Sequence, residues 1–325
     1  MKIKISELRN LMVKLVSSKY YTKKEALSIV EPLIWAEISG KNTQGILKLL
    51  GSEPYQDIKP IYKPKVIKKA QLSTLIDGGK SAAPLVAQMA TDKVIKIATN
   101  KGFGIVGVNN TFSSVGSLGY YARKIAKANL IGIVMASSPK AINHFGGIDP
   151  VYGTNPIAFG FPTNEYPITF DMASSAITWY GLVRAKALGE KIPENVAINK
   201  DGNITTDPTE AMDGAILPFD RSYKGSGLAM SVEILSGILP GAGYVLLDED
   251  WGTTMIAISP DLLTSTKEFK RKSSDLIKKV KAGRTLKGQK IVFPGYDKEE
   301  EIKKILKKNE IEIEDKLLKD LKSRL

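Results

Sequence analysis

One histidine, His144, and no cysteine define the chemistry open to this 325-residue chain. Without cysteine there is no disulfide, thiolate nucleophile or thiolate metal site. With one histidine there is no histidine pair or triad within a chain. Acid–base work near neutral pH falls to His144, carboxylates, lysines or tyrosines. Three segments gather residue types suited to binding. In FGGIDPVYGTNPIAFGFP (145–162), Gly146, Gly147 and Gly153 open backbone conformations closed to other residues, and Asn155 before Pro156 is expected in extended backbone. In TFDMASS (169–175), Asp171 stands where a buried strand meets a helix that Ser174 and Ser175 are placed to cap. In RSYKGSGLAMSVEILSG (221–237), Lys224 falls at the start of an apolar helix between glycines. A cation beside free N–H groups at a helix start suits an anion or a pyrophosphate. Each segment alone reads equally as a loop, a cap or a helix start.

The elements that must position these residues alternate. Residues 5–19 and 23–39 have the spacing of amphipathic helices, with Thr22 and Glu25 forming a capping box ahead of the second. A short apolar segment, Ile46–Leu50, precedes connecting chain from Gly51 to Pro64. Strands are then expected at 73–77, 105–108, 131–136, 156–161, 167–172, 254–258 and 291–293. Helices are expected at 84–99, 118–128, 176–188, 224–239 and 262–282, with two more charged helices at the end. The DGN in 196–206 signals a hairpin. Helix between two buried strands (105–108 and 131–136) predicts a crossover unit and a partly parallel sheet. There is no GxGxxG after a strand and no GxxxxGK[ST], which argues against an ordinary Rossmann site and against a P-loop.

The length favours two lobes. No apolar run spans a bilayer and the first residues alternate charge with apolar side chains, so a cytoplasmic, membrane-free protein is expected. The net charge of +13 raises nucleic acid as a partner. Yet the basic excess lies in Lys/Glu-rich helical patterns at 267–325, without the interleaved aromatic residues that stack on bases, so no specific nucleic-acid site is expected. Abundant Lys and Glu, with five Gln and no Cys, suit a heat-adapted source.

In order along the chain, FGG, YGTNPIAF, FDMASS, TTDP, YKGSGLAMSVEILSGIL and FPG resemble the malate/L-lactate/sulfolactate dehydrogenase family that includes ureidoglycolate dehydrogenase. The resemblance runs from about residue 5 to the end and is densest between 102 and 240. It implies an α/β, two-lobed, non-Rossmann sulfolactate-dehydrogenase-like fold with a mixed sheet and an N-terminal helical segment. The implied division is 1–65, packing with the C-terminal part as a substrate and dimerisation lobe; 66–240, a central region with the cofactor lobe; and 241–325, returning to the first lobe. It also implies a homodimer, NAD or NADP as cofactor, and a small 2-hydroxy or 2-keto acid as substrate. Carried over residue by residue, the cofactor contacts fall on Ser138, Asp171, Met172, Ala173, Lys224, Gly295, Tyr296 and Asp297; no metal is implied. Lys224 can neutralise a pyrophosphate and Asp171 can accept from a ribose hydroxyl.

The centre of the implied site departs from the family. An SHG motif with Arg three residues on reads here as Thr43, Gln44, Gly45 and Lys48, and the acid/base histidine falls on Ser113 or Ser114. Neither serine is a general base near pH 7 unaided, and Lys lacks the bidentate fork of Arg. His144 is either a relocated acid/base or a loop histidine; Lys48, Tyr120 and water are the other proton routes. Two expectations follow, a dehydrogenase with altered or weak catalysis and a dinucleotide-binding paralogue that has lost catalysis.

Overall fold

The computed structural model describes residues 1–51, 54–244 and 250–325, so that residues 52 and 53 of the connecting stretch lie outside it. The chain opens with β1 (Lys2–Lys4), α1 (Ile5–Val16), α2 (Lys23–Ile38) and one turn, α3 (Leu47–Leu50). Then come β2 (Lys65–Lys69), β3 (Ser73–Ala82), α4 (Ala83–Lys101), β4 (Phe103–Phe112), α5 (Leu118–Lys127) and β5 (Ile131–Ala136). Short elements follow: β6 (Ile142–Asn143), β7 (Pro150–Tyr152), β8 (Ile157–Phe161), β9 (Ile168–Met172), α6 (Trp179–Leu188), β10 (Ala197–Ile198), α7 (Pro208–Asp213) and β11 (Ala215–Ile216). The chain ends with α8 (Tyr223–Glu233), β12 (Trp251–Ile258), α9 (Thr266–Lys281), α10 (Tyr296–Lys308), β13 (Glu310–Glu312) and α11 (Asp315–Ser323).

The main sheet has seven strands in the order β2-β3-β4-β12-β5-β8-β9. Its parallel neighbours are β3 and β4, joined through α4. The two strands flanking α5 do run alike, but they are not neighbours: β12, arriving from late in the chain, inserts antiparallel between β4 and β5. The buried faces of α4 and α5 close one side of the sheet around Val106, Val134, Tyr121 and Ile125. A four-stranded sheet, β10-β11-β6-β7, packs with α6 and α7 around Leu182, Val196 and Ile216. A third core joins the two ends of the chain, where α1 and α2 bury Leu8, Met12, Ile29 and Leu33 with Ile302 of α10 and Leu318 and Leu321 of α11.

Local chemistry explains most of these elements. The capping box is present: Glu25 N donates to Thr22 Oγ1 at 3.3 Å and Thr22 N donates to Glu25 Oε2 at 2.8 Å. Several expectations need correction. Helix α6 begins at Trp179 with Thr178 as its cap, and Ser174 instead donates to the Thr154 carbonyl at 3.1 Å. Asn155 is not extended; its φ is +33°, held by its Nδ2 donating to the Ala229 carbonyl at 3.0 Å and to Glu233 Oε2 at 2.6 Å. Residues 291–293 form no strand, because Phe293 N turns back onto Asp297 Oδ2 at 2.8 Å and leaves Val292 exposed. The hairpin expected in 196–206 is present in short form, Asn199 N donating to the Asn203 carbonyl at 2.8 Å and Ile198 bridging Ile204, while β10 takes β11 as its strand neighbour. The apolar helix after Lys224 passes from α into a π segment over Ile234–Ile238, a form that leaves exposed Ile234, Leu235 and Ile238.

Candidate active site

Two of the segments singled out for the cofactor meet at one cleft. Strand β9 presents Thr169, Phe170 and Asp171, and the Pro294–Gly295 turn crosses it, with Thr169 N donating to the Pro294 carbonyl at 3.3 Å. The turn requires glycine: Gly295 has φ +68°, and a Cβ there would stand 2.6 Å from the Thr169 carbonyl oxygen. The cleft left beside it has a volume of about 250 Å³ and is lined also by Trp35, Lys41, Lys298 and Glu299. A glycine-bounded recess with lysines at its rim fits one end of an anionic nucleotide. Met172 packs beneath, against Met135, Ile157 and Val232, and Ala173 follows it at the strand end. Tyr296 donates to Glu165 Oε2 at 2.6 Å, and burial with that carboxylate pushes its hydroxyl up to about 12. Asp297 is held below the usual carboxylate range, burial being outweighed by the Lys281 ammonium and the Phe293 N–H.

Asp171 is already engaged. Its Oδ2 accepts from Ser117 Oγ at 2.7 Å and from Gly119 N at 3.0 Å at the start of α5, and pairs with Lys41. Only Oδ1 is left for a ribose hydroxyl. Lys41, which sequence reasoning missed, thereby ties the segment after α2 to β9; a lone loop lysine carries no signal of this.

The glycine-rich loops continue the site. Ser138 Oγ accepts from Thr154 N at 3.1 Å, the Thr154 carbonyl accepts from Ser174, and the Ser174 carbonyl accepts from Phe219 N at 2.9 Å. Gly153 lies flush on this joint: a Cβ would fall 2.3 Å from both the Ser138 carbonyl oxygen and its Oγ. Beyond Phe219, Lys224 is exposed in the first turn of α8. The helix start is not free for an anion, which corrects the expectation there. Lys224 N donates to Ser222 Oγ at 3.1 Å and Gly225 N to Asp220 Oδ1 at 3.0 Å. The Ser222 hydroxyl, with the Ser222 and Gly225 N–H groups, holds the Asp220 carboxyl below its usual range. What α8 offers an outside anion is the Lys224 ammonium.

Of the residues carried over for substrate and proton, Gln44 and Lys48 lie on the turn after α2, Lys48 against Tyr180 of α6. Gln44 ends a short 3-10 turn and its Oε1 is buried without a hydrogen-bond partner among the described residues. Lys48 is buried at 1% exposure, its Nζ 3.2 Å from the centre of the Tyr180 ring. Glu37 of α2 anchors this turn: Oε1 accepts from Ile46 N at 2.6 Å, and a Cβ on Gly45 would stand 1.9 Å from it. Burial drives the Glu37 carboxyl up to about 7, Glu314 adding to the rise against the Ile46 N–H. Sequence could have flagged Glu37, a carboxylate inside the apolar run Leu33, Ile34, Ile38.

Ser113, at φ +87°, is buried and its Oγ accepts from Ala83 N at 3.3 Å. Ser114 Oγ accepts from Gly116 N at 3.1 Å, and its carbonyl accepts from Tyr55. Both serines hold their own loop. Tyr120 accepts from Gln88 Nε2 at 2.8 Å and packs edge-on to Trp35, its hydroxyl raised by burial. His144 sits exposed at the end of β6 in the other sheet, sharing a hydrogen bond with the Tyr152 hydroxyl at 3.1 Å. Among the described residues no cluster of metal-ligating side chains is present, and no helix is long and apolar enough to cross a membrane.

The sequence model for malate/L-lactate dehydrogenase matches residues 3–322. The malate/(S)-sulfolactate dehydrogenase of Methanothermus fervidus is 33% identical over 328 residues, covering 97% of this chain and 95% of its own. The ureidoglycolate dehydrogenase (NAD(+)) of Escherichia coli K12 is 27% identical, covering 92% and 89%. The solved sulfolactate dehydrogenase from Methanocaldococcus jannaschii aligns with a TM-score of 0.87 at 30% identity, covering 100% of this chain and 96% of that one. The chain belongs to the malate/L-lactate dehydrogenase family, and its fold is the sulfolactate-dehydrogenase-like α/β fold expected from its motifs.

Proposed function

We propose that this member of the dehydrogenase family binds a nicotinamide dinucleotide, NAD or NADP, and moves hydride between it and a small 2-hydroxy or 2-keto acid, with a weakened proton-transfer step. The observation that carries this reading is the meeting of β9 and the Pro294–Gly295 turn over a glycine-bounded cleft, two distant segments both expected to hold cofactor. The bound dinucleotide would supply the hydride chemistry; the protein would supply orientation and the proton. Asp171 Oδ1 and the Gly295–Asp297 turn would take one end of the dinucleotide. Ser138, Met172 and Ala173 would line its path, and Lys224 would neutralise pyrophosphate.

On the substrate side Lys48 offers a positive charge to a carboxylate and Gln44 a buried amide. Lys48 is a point charge without the two-pronged grip of Arg, so it fixes the acid less firmly. No histidine stands with them, and the serines are committed to their loops. Proton transfer then rests on Lys48 or water, while His144 serves its own turn. A second reading, a dinucleotide-binding chain without turnover, is favoured by the inward position of Ser113. We also infer a cytoplasmic homodimer, with residues 1–65 and 241–325 forming the substrate and dimer lobe. The exposed Met230, Ile234, Ile238 and Leu239 are the apolar surface a second copy would cover.

Titration of the protein into NADH and NADPH, followed by the nucleotide's fluorescence, tests the cofactor. Saturable binding of either is expected, and absence of both overturns the reading. Oxidation of the bound nucleotide by any of a panel of 2-keto acids then separates the enzyme from the second reading.

A further inference from the structure

A second, larger cleft lies between α5 and α10, outside the residues assigned to cofactor or substrate. It measures about 400 Å³, with the Pro162–Pro167 turn and Lys270 of α9 completing its lining. Four cations, Arg123, Lys127, Lys270 and Lys303, line it against two carboxylates, Glu165 and Glu299. Glu299 is paired with a cation and Glu165 is hydrogen-bonded to a neutral group. Glu299 is buried and grips Arg123, whose Nη2 donates to Oε2 at 2.7 Å, while Glu165 accepts from the Tyr296 hydroxyl.

That leaves three lysines without a carboxylate within ion-pair distance among the described residues. Lys270 Nζ has a neutral acceptor, Asn129 Oδ1, at 3.0 Å, and Lys127 and Lys303 have none. Loss of water and the neighbouring Arg123 hold the Lys127 ammonium below the usual lysine range, with Glu299 only partly offsetting them. Elsewhere on α9 and α10, some lysines and an arginine find carboxylates three or four residues along the helix. Among the described residues Lys267, Lys278, Lys279, Lys307 and Lys308 have no such partner either, and what sets the cleft apart is that three unpaired lysines line one recess.

We propose that this cleft binds a phosphate group. Ammonium groups converging from three elements, with donors unspent, match the several oxygens and double charge of a phosphate better than one carboxylate would. The contrast with α8 supports the assignment, since the start of that helix is capped by Asp220 and leaves its backbone donors occupied. The phosphate has two possible sources, the ribose phosphate of NADP reaching past the shared wall of Glu299 and Ile302, or a free phosphorylated molecule. The proposal stands without the dehydrogenase reading.

Calorimetric titration with inorganic pyrophosphate, at ionic strength fixed with chloride, tests it. One site at this cleft is expected, weakened about tenfold or more by Lys127→Gln combined with Lys303→Gln. No binding at millimolar pyrophosphate overturns the proposal, as does binding that ignores the paired substitution. 2′,5′-ADP and 5′-AMP then identify the source. If only 2′,5′-ADP binds, and loses affinity in the paired variant, the phosphate is that of NADP. If 2′,5′-ADP gains nothing over 5′-AMP while pyrophosphate still binds through Lys127 and Lys303, it belongs to a free ligand.

Discussion

The glycine-rich loops and the turn after α2 stand at the two sides of the candidate site and are held by different means. On the loop side, Thr154 N donates to Ser138 Oγ, the Thr154 carbonyl accepts from Ser174 N and Oγ, and the Ser174 carbonyl accepts from Phe219 N, so that hydroxyls and backbone groups share a joint with Gly153 flush against it. The backbone bonds fix the path of the chain, while the two hydroxyls and the space closed to a Cβ at Gly153 restrict which residues can stand there. On the other side, Gln44 and Lys48 are placed by one carboxylate, Glu37, and by the Tyr180 ring. A turn positioned by side chains can be rebuilt residue by residue. The two sides therefore offer different latitude for substitution, which is what the proposed function requires of them.

The largest expected effect breaks the loop side. Gly153→Ala drives a Cβ against the backbone of Ser138, which cannot withdraw without opening the Thr154 bond. We expect a loss of about 3 kcal/mol of stability by denaturant unfolding. Gly45→Ala meets the Glu37 side chain and should cost less, because a side chain can rotate where a backbone cannot. Equal losses would remove the distinction between the two sides.

Next comes Glu37. Its folded-state value of about 7 lies above the ordinary 4.5, so the folded protein holds the proton more tightly than the unfolded chain. The stability this gives is complete below about pH 4.5, declines as pH rises, and is gone above about 7, an overall change of about 3 kcal/mol. Glu37→Gln keeps an acceptor for Ile46 N and cannot ionise. It should therefore melt higher than the wild type at pH 8, with the gap closing towards pH 5. A gap independent of pH would mean that Glu37 does not titrate there.

Lys224→Ala should weaken NADH or NADPH binding about tenfold, a charge-assisted contact to phosphate being worth roughly 1.5–3 kcal/mol. An unchanged dissociation constant would reassign Lys224 to the surface of α8. The smallest effect is expected at His144: His144→Asn should leave both binding and turnover within about twofold, since the ring is exposed and engaged with Tyr152 on the second sheet. Loss of turnover with binding intact would restore it as the acid/base.

How much of this was legible in the sequence follows the same division. The capping box at Thr22 and Glu25, the helix faces of α4 and α5, and the strands β5, β8 and β9 depend on neighbours in sequence and could be read. The insertion of β12 between β4 and β5 depends on pairing across the chain, for which periodicity carries no information. Asn155 was misplaced because a rule about the residue before proline competes with two buried hydrogen bonds to α8, and the bonds prevail. For Asp171 the strand end is legible, but its bonds to Lys41 and to the start of α5 are not, since nothing in TFDMASS announces them.

Central to the proposed function is a dinucleotide side set beside a proton side without histidine. It is tested most directly by the single-turnover rate at which a bound, reduced nicotinamide dinucleotide is oxidised by saturating 2-keto acid. A positioned acid/base contributes about 10²–10⁴ to such a step, and ordinary enzymes turn over near 10 per second, so a rate at or below about 0.1 per second is predicted beside saturable nucleotide binding. A rate of about 10 per second or more on malate's or sulfolactate's keto acid would contradict it.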